Sequence, residues 1–172
     1  LIDARRQGGA MAEAVIDFFF YGTLVDADVR RLVLGREVPD EAVRHAELAD
    51  FRRYTVEGQP FPAAVPHAGS TVDGVVLPGV GARDAAILSC FEGADYVAQP
   101  LPVSVLGDEG SARIAWVYVA SDRIPLGEPR WSIAKWRTQH KPAFIEIATS
   151  WLDSIAAADI DVAEQAWRTR LR

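Results

Sequence analysis

Hydrophobic positions from Val15 to Phe20 (VIDFFF) run almost without a break, which predicts a short strand buried on both faces. After Tyr21-Gly22-Thr23-Leu24 the spacing turns helical. Val29, Leu32 and Val33 form a stripe, Asp26 or Asp28 is placed to cap its start, and Gly35 to end it. From Ala46 to Leu77, the aromatics, the Gly58-Gln59-Pro60 turn and the alternation in VDGVVL predict several short strands with loops. Gly81 to Tyr96 reads as one helix, with Ile87, Leu88 and Phe91 on a face and Gly93 just past the end. Leu101–Gly107 and Ser111–Ala120 predict an antiparallel pair joined through Gly107 to Gly110. The remainder reads as helical. Pro142 suits a first helical turn, and Phe144, Ala148, Trp151, Leu152 and Ile155 share a face. The final stretch, Asp161 to Arg172, predicts a peripheral helix.

Strands interleaved irregularly with helices, including a hairpin, indicate an α+β fold with a mixed or barrel-like sheet rather than regular βαβ repeats. A chain of 172 residues is sized for one domain with a substantial core. The first ten residues precede the single methionine, Met11, and lack the apolar stretch of a signal peptide, so 1–12 are expected to be an N-terminal extension or expression remnant.

Charge and composition narrow the function classes. A net charge of −6 argues against a nucleic-acid partner, which requires a basic footprint. No apolar run approaches the roughly 20 residues of a membrane-spanning helix. One cysteine, Cys90, cannot form an intramolecular disulfide or a thiolate-rich metal site, and His45, His67 and His140 are widely separated. A cytoplasmic location is the expectation.

Three stretches carry candidate chemistry. Gly22, directly after a buried strand, permits a sharp turn whose following amides, near a helix start, could bind an anionic or carbonyl oxygen; the same residues also suit a plain turn with a core tyrosine. Glu92 falls in the last turn of its helix beside Leu88, where the macrodipole and partial burial both favour the neutral acid. Such carboxylates are enriched among acid/base catalysts, although a solvated helix end would also hold one. Pro78-Gly79-Val80-Gly81-Ala82-Arg83-Asp84 has the context of a dinucleotide fingerprint, but Asp84 replaces the third glycine and would repel a pyrophosphate. Cys90 has no histidine nearby in sequence to activate it, and Trp131, Trp136, Trp151 and Trp167 read as helix packing.

FFFYGTLVD is close to the opening string of haloacid dehalogenase-like phosphatases. Phe19 and Tyr21, however, stand where that chemistry needs its aspartate nucleophile and acid/base. YGTL followed some seventy residues later by the Phe91-Glu92-Gly93…Tyr96 pattern resembles instead the gamma-glutamylcyclotransferase superfamily, in the branch of gamma-glutamylamine cyclotransferase and the avirulence-induced proteins. The segments LADFRRYTVEGQPFPAAVP, VDGVVL, ILSCFEGADYVAQPLPV and AWVYVA support it.

The resemblance implies a small mixed β-barrel flanked by helices over 13–125, with 126–172 as a helical C-terminal extension packed on it. It further implies a cofactor-independent, metal-free enzyme that cyclises a γ-glutamyl group to 5-oxoproline and releases an amine or amino acid. Glu92 would be the general acid/base, and Tyr21, Gly22, Thr23, Leu24 and Tyr96 would bind the small-molecule γ-glutamyl substrate. The chain departs from many relatives in carrying Val97 and Ala98 where a basic residue follows the tyrosine, which leaves the substrate open. The alternative is a non-catalytic module binding a metabolite or peptide in the same pocket; a Glu92 facing open solvent would favour it. Oligomeric state is not legible.

Overall fold

The structure is a computed structural model that describes residues 14–108 and 112–172. The expected extension at 1–12, residues 109–110 of the predicted hairpin connection and the first residue of the strand predicted after it, 111, lie outside the described residues.

Five strands close into a barrel in the order β1 (Ile16–Phe20), β3 (Pro62–Val80), β2 (Arg44–Thr55), β4 (Tyr96–Val105), β5 (Ala112–Ala120). Every pairing is antiparallel except the closing one, where β1 runs parallel to β5 with Phe18 opposite Trp116 and Phe19 opposite Val117. The barrel is therefore mixed. The stretch expected to form several short strands forms two long ones. β2 and β3 pair along most of their length, with a bulge between Ala49 and Phe51. At that bulge Asp50 adopts a left-handed φ of 59° and its carboxylate accepts the Gly69 amide at 2.9 Å. A bulge bends a strand without ending it, so local turn signals in this stretch overstate the breaks.

Alternation along the strands sorts side chains into two cores. Phe19, Leu48, Val72, Val76, Val103 and Val117 belong to one buried cluster, fed by all five strands, that fills the barrel. Phe18, Phe20, Val75, Leu77 and Tyr118 face the other way and pack against helices. The run of three phenylalanines thus serves both cores, as a strand buried on both faces requires. Gly74 is the point of closest approach. A Cβ there would overlap the Phe20 carbonyl oxygen and sit 2.7 Å from the Phe19 ring.

The helices α1 (Ala27–Leu34), α2 (Ala82–Glu92), α3 (Ile133–Gln139), α4 (Lys141–Ser154) and α5 (Ala157–Arg170) contribute to the outer core. Asp26 caps α1 by accepting the Asp28 amide, and Gly35 ends it with a φ of 64°. α5 is not the peripheral helix its sequence suggested. Trp167 is 1% exposed, meets Phe18 edge-on at 5.6 Å and Trp116 at 4.8 Å, and donates to Ser89 Oγ on α2 at 2.9 Å. One large aromatic side chain in a mostly polar stretch fixes the helix, because full burial of an indole outweighs the weak amphipathicity around it.

Candidate active site

The end of β1 delivers the chain into a tight turn. Thr23–Val25 form one turn of 3-10 helix, closed by Val25 N–H to the Gly22 carbonyl at 3.1 Å and Asp26 N–H to the Thr23 carbonyl at 3.0 Å. Gly22 is closely packed here, since a Cβ would stand 3.1 and 3.2 Å from the Pro62 ring. Two arginines grip the turn from outside. Arg53 of β2 donates to the Tyr21 carbonyl at 2.8 Å. Arg30 of α1, fully buried, donates to the carbonyls of Leu24, Val25 and Val38 and pairs with Asp40 at 2.6 Å. In a trans peptide the amide points opposite to the carbonyl, so the Gly22 N–H is directed away from Arg53. Arg30 lies beside the apolar stripe of α1 with no pattern marking it as buried, and sequence reasoning missed both arginines.

At the far end of α2, Gly93 with φ 76° terminates the helix directly after Glu92. The two segments meet in one cavity of about 90 Å³, lined by Tyr21, Gly22, Thr23, Leu24, Glu92 and Tyr96 together with Phe19, Phe20, Phe61, Pro62, Phe91, Tyr118 and Phe144. All six residues singled out from the sequence therefore share one wall system. Glu92 is the single carboxylate among the lining residues, and it is half-buried there.

Electrostatics follow from that setting. The Glu92 side chain keeps some solvent contact, yet desolvation among the aromatic walls pushes its pKa up from 4.5 to about 7. The phenols of Tyr21, Tyr96 and Tyr118 are held above their usual value, first by burial; the charge of Glu92 adds to the rise in each. They remain protonated at neutral pH. Their hydroxyls are already engaged: Tyr21 donates to the Tyr118 carbonyl at 2.6 Å, Tyr96 to the Pro62 carbonyl at 3.0 Å, and Tyr118 shares a 2.9 Å hydrogen bond with Ser89. Glu92 is left as the group with free proton chemistry.

The other sequence candidates are placed elsewhere. Asp84 of the glycine-rich connection is paired with Arg36 at 2.5 Å. Burial pushes the Cys90 thiol up, followed by the charge of Asp159, which disfavours a thiolate. Among the described residues no three His, Cys, Asp or Glu side chains gather as a metal site, and no helix is long and apolar enough to cross a membrane.

The C-terminal helices complete the site. Phe144 of α4 lines the cavity, while Arg137 and Lys141 reach Asp26 at 2.8 and 2.9 Å, two residues beyond the turn. Burial alone would raise the Asp26 pKa, but hydrogen bonds from Lys141 and Arg137 hold it below its usual value. Tyr118 was also missed, although the alternation of Trp116, Tyr118 and Ala120 along β5 would have set it apart from the barrel interior.

Residues 18–138 match the family described as Gamma-glutamyl cyclotransferase, AIG2-like. AIG2-like protein A of Arabidopsis thaliana is 32% identical over 133 residues, spanning 74% of this chain and 76% of the relative. AIG2-like protein D of the same plant is 29% identical over 139 residues, 80% of this chain and 89% of the relative. Among solved structures, an Arabidopsis thaliana protein determined in solution superposes with a TM-score of 0.58 at 26% identity, covering 79% of this chain and 89% of its own. A human protein of 16% identity shares the fold at a TM-score of 0.55, over 88% of this chain and 99% of its own.

Proposed function

Because the chain belongs to the Gamma-glutamyl cyclotransferase, AIG2-like family, we propose that it cyclises a γ-glutamyl compound to 5-oxoproline and releases the attached amine or amino acid, with Glu92 as general acid/base. The observation that carries this reading is the placement of Glu92 in the same cavity as the Gly22–Leu24 turn, with its pKa raised to about 7.

The reaction is intramolecular. Glu92, ionised, takes a proton from the substrate α-ammonium, and the freed amine attacks the γ-carbonyl carbon of the same molecule. The tetrahedral intermediate carries an oxyanion. It collapses by breaking the γ C–N bond as protonated Glu92 returns its proton to the departing nitrogen. The ring nitrogen, still carrying two protons after its attack, then gives one to the Glu92 carboxylate. Glu92 passes it to the released amine, leaving a neutral lactam and an ammonium. A carboxyl poised near neutrality suits both halves, being basic enough to accept the proton and acidic enough to give it back. The amides of Gly22, Thr23 and Leu24 are the donors for the oxyanion or for the substrate α-carboxylate, the first in a peptide whose carbonyl Arg53 holds and the other two in peptides closed by the 3-10 turn. The aromatic walls hold the glutamyl chain folded back on itself, the conformer in which amine and carbonyl already meet.

The test is 5-oxoproline release, read by mass spectrometry, from γ-glutamyl amines, γ-glutamyl amino acids and glutathione. Wild type and Glu92→Gln are run side by side. Release by wild type, lowered about 10²–10⁴-fold in a folded Glu92→Gln, is the expected result. Unchanged turnover in that variant removes Glu92 from the role. Binding of γ-glutamyl ligands without any release would leave a non-catalytic pocket.

A further inference from the structure

A separate cavity of about 90 Å³ lies between the connection from β2 to β3 and α3. Gln59 and Pro60 line it from the barrel, and Arg130, Lys135, Trp136 and His140 from the C-terminal side. The Trp131 indole, also in its wall, joins the two sides by donating to the Pro60 carbonyl at 3.1 Å. None of the lining residues is acidic. The side chains of Gln59, Lys135 and His140 have no hydrogen-bond or ion-pair partner among the described residues. Arg130 meets only Glu128, at 3.3 Å, in a pair that is exposed on both sides. Ser132 accepts the Lys135 amide at 3.2 Å and keeps its own hydroxyl proton to give.

An independent observation points the same way. Trp136 is 1% exposed, and its indole Nε1 is buried without a hydrogen-bond partner. A buried N–H donor ordinarily has an acceptor. Trp136 does not line the Glu92 cavity; it lines this one. Ammonium, imidazole, amide, hydroxyl and indole groups thus gather around one small space as donors, with positive charge and no carboxylate.

We propose that this cavity binds a small phosphate, either the free inorganic ion or the phosphate group of a small metabolite. A phosphate offers several acceptor oxygens and close to two negative charges at neutral pH, which suits a donor set of this kind better than a carboxylate with two oxygens and one charge. The volume is well below the roughly 300 Å³ of a pocket that encloses a drug-sized ligand, so only the head group enters. The rest of an ester would lie along the exposed rim at Arg130. The bound ion would tie α3 to the β2–β3 connection and stabilise the folded chain by mass action. It would do so directly behind the candidate active site, because Phe61 and Pro62 follow Pro60, Phe144 meets Trp136 edge-on at 5.3 Å, and all three line the Glu92 cavity. The site stands whether or not the cyclotransferase reading holds.

The test follows the five indole N–H signals of the full ¹⁵N-labelled chain during titration with inorganic phosphate, glycerol 3-phosphate and acetate at fixed pH and ionic strength. The Trp136 signal is the one lost in Trp136→Phe, or is found by sequential assignment if that variant does not fold. The expected result is a saturable shift of the Trp136 signal, with a Kd of about 1 mM or tighter for a phosphate compound, and a rise in melting temperature over the same range. Acetate is expected to bind at least about tenfold more weakly, and the double variant Lys135→Gln/His140→Gln to weaken phosphate binding at least about threefold. Binding of inorganic phosphate alone sustains the site for the free ion, and binding of the ester sustains it for a metabolite. No saturable shift of the Trp136 signal with either phosphate compound overturns the proposal. So does acetate binding as tightly as phosphate, or undiminished phosphate binding by the double variant.

Discussion

Tyr21 and Tyr118 are joined by a 2.6 Å hydrogen bond from the Tyr21 hydroxyl to the Tyr118 carbonyl, and the same hydroxyl accepts the Ala64 amide at 3.2 Å. One phenol thereby bridges three strands or their ends inside the barrel. Its donor and acceptor capacities are both used, so Tyr21 enters the cavity as ring and backbone, not as a free hydroxyl. Tyr21→Phe leaves a buried amide and a buried carbonyl without this partner. A loss of about 1–3 kcal/mol is expected, measured as a lower midpoint in urea unfolding. An unchanged midpoint would mean that other groups take up those bonds.

Glu92 makes stability depend on pH in an unusual direction. Its usual value of 4.5 rises to about 7 in the fold. Between these values the folded state holds a proton that the unfolded state has lost, so stability falls as pH rises through this window. Below it both states are protonated; above it the full cost remains. Glu92→Gln removes the charge. It is expected to match wild type near pH 4 and to exceed it at pH 8 by at most about 3 kcal/mol, at 1.36 kcal/mol per unit. Denaturation midpoints of both proteins across pH 4–8 check this.

The same titration shapes turnover. A base must be ionised before it can take the α-ammonium proton, so kcat/KM on a γ-glutamyl substrate is expected to rise with pH along a limb centred near 7. A limb centred near 4.5 would indicate that the Glu92 carboxyl is solvated in solution.

Asp26 behaves oppositely. Its side chain is 4% exposed and holds Arg137 and Lys141 while capping α1. A carboxyl with a depressed pKa contributes stability that is present above its unfolded value, 3.8, and lost as pH falls through the folded one. Asp26→Asn keeps the shape of the cap but not the charge. It is expected to cost about 1–3 kcal/mol at pH 7, with the gap to wild type narrowing below pH 3.8. Paired melts at neutral and acid pH measure it.

Gly74→Ala is expected to be the most damaging single methyl in the barrel. The added carbon overlaps the Phe20 carbonyl, which cannot move without opening the β1–β3 pairing, and crowds the Phe19 ring in the filled barrel interior. A loss above about 3 kcal/mol, seen as insolubility or a collapsed melting temperature, is the expected outcome.

What could be read beforehand was what local pattern encodes. The apolar run ending in Phe18-Phe19-Phe20 announced a strand with two buried faces, and Asp26 or Asp28, Gly35 and Gly93 announced helix ends. The meeting of Glu92 with the Gly22 turn came from family likeness, since seventy residues separate them and no periodicity connects them. The misreadings share a cause. Asp50 takes up the bulge that keeps β2 continuous, and Trp167 is held by Phe18 and Trp116, partners about 150 and 50 residues away. Arg30 likewise looks like a surface residue of α1 until the carbonyls of Leu24, Val25 and Val38 close around it. Each is decided by contacts distant in the chain, where sequence spacing carries no signal.

The parallel seam between β1 and β5 also sets an order in time. The residues of the turn are made before the rest of the barrel, but β1 finds its second neighbour only when Ala112–Ala120 has been synthesised. Arg137, Lys141 and Phe144 come later still, and Trp167 after them. Contacts of such long sequence separation form slowly, because the intervening loop must close before they repay it. A nascent chain halted at residue 130 would already contain Glu92 and every residue of the turn. It would still lack one wall of the pocket and both cations that hold Asp26.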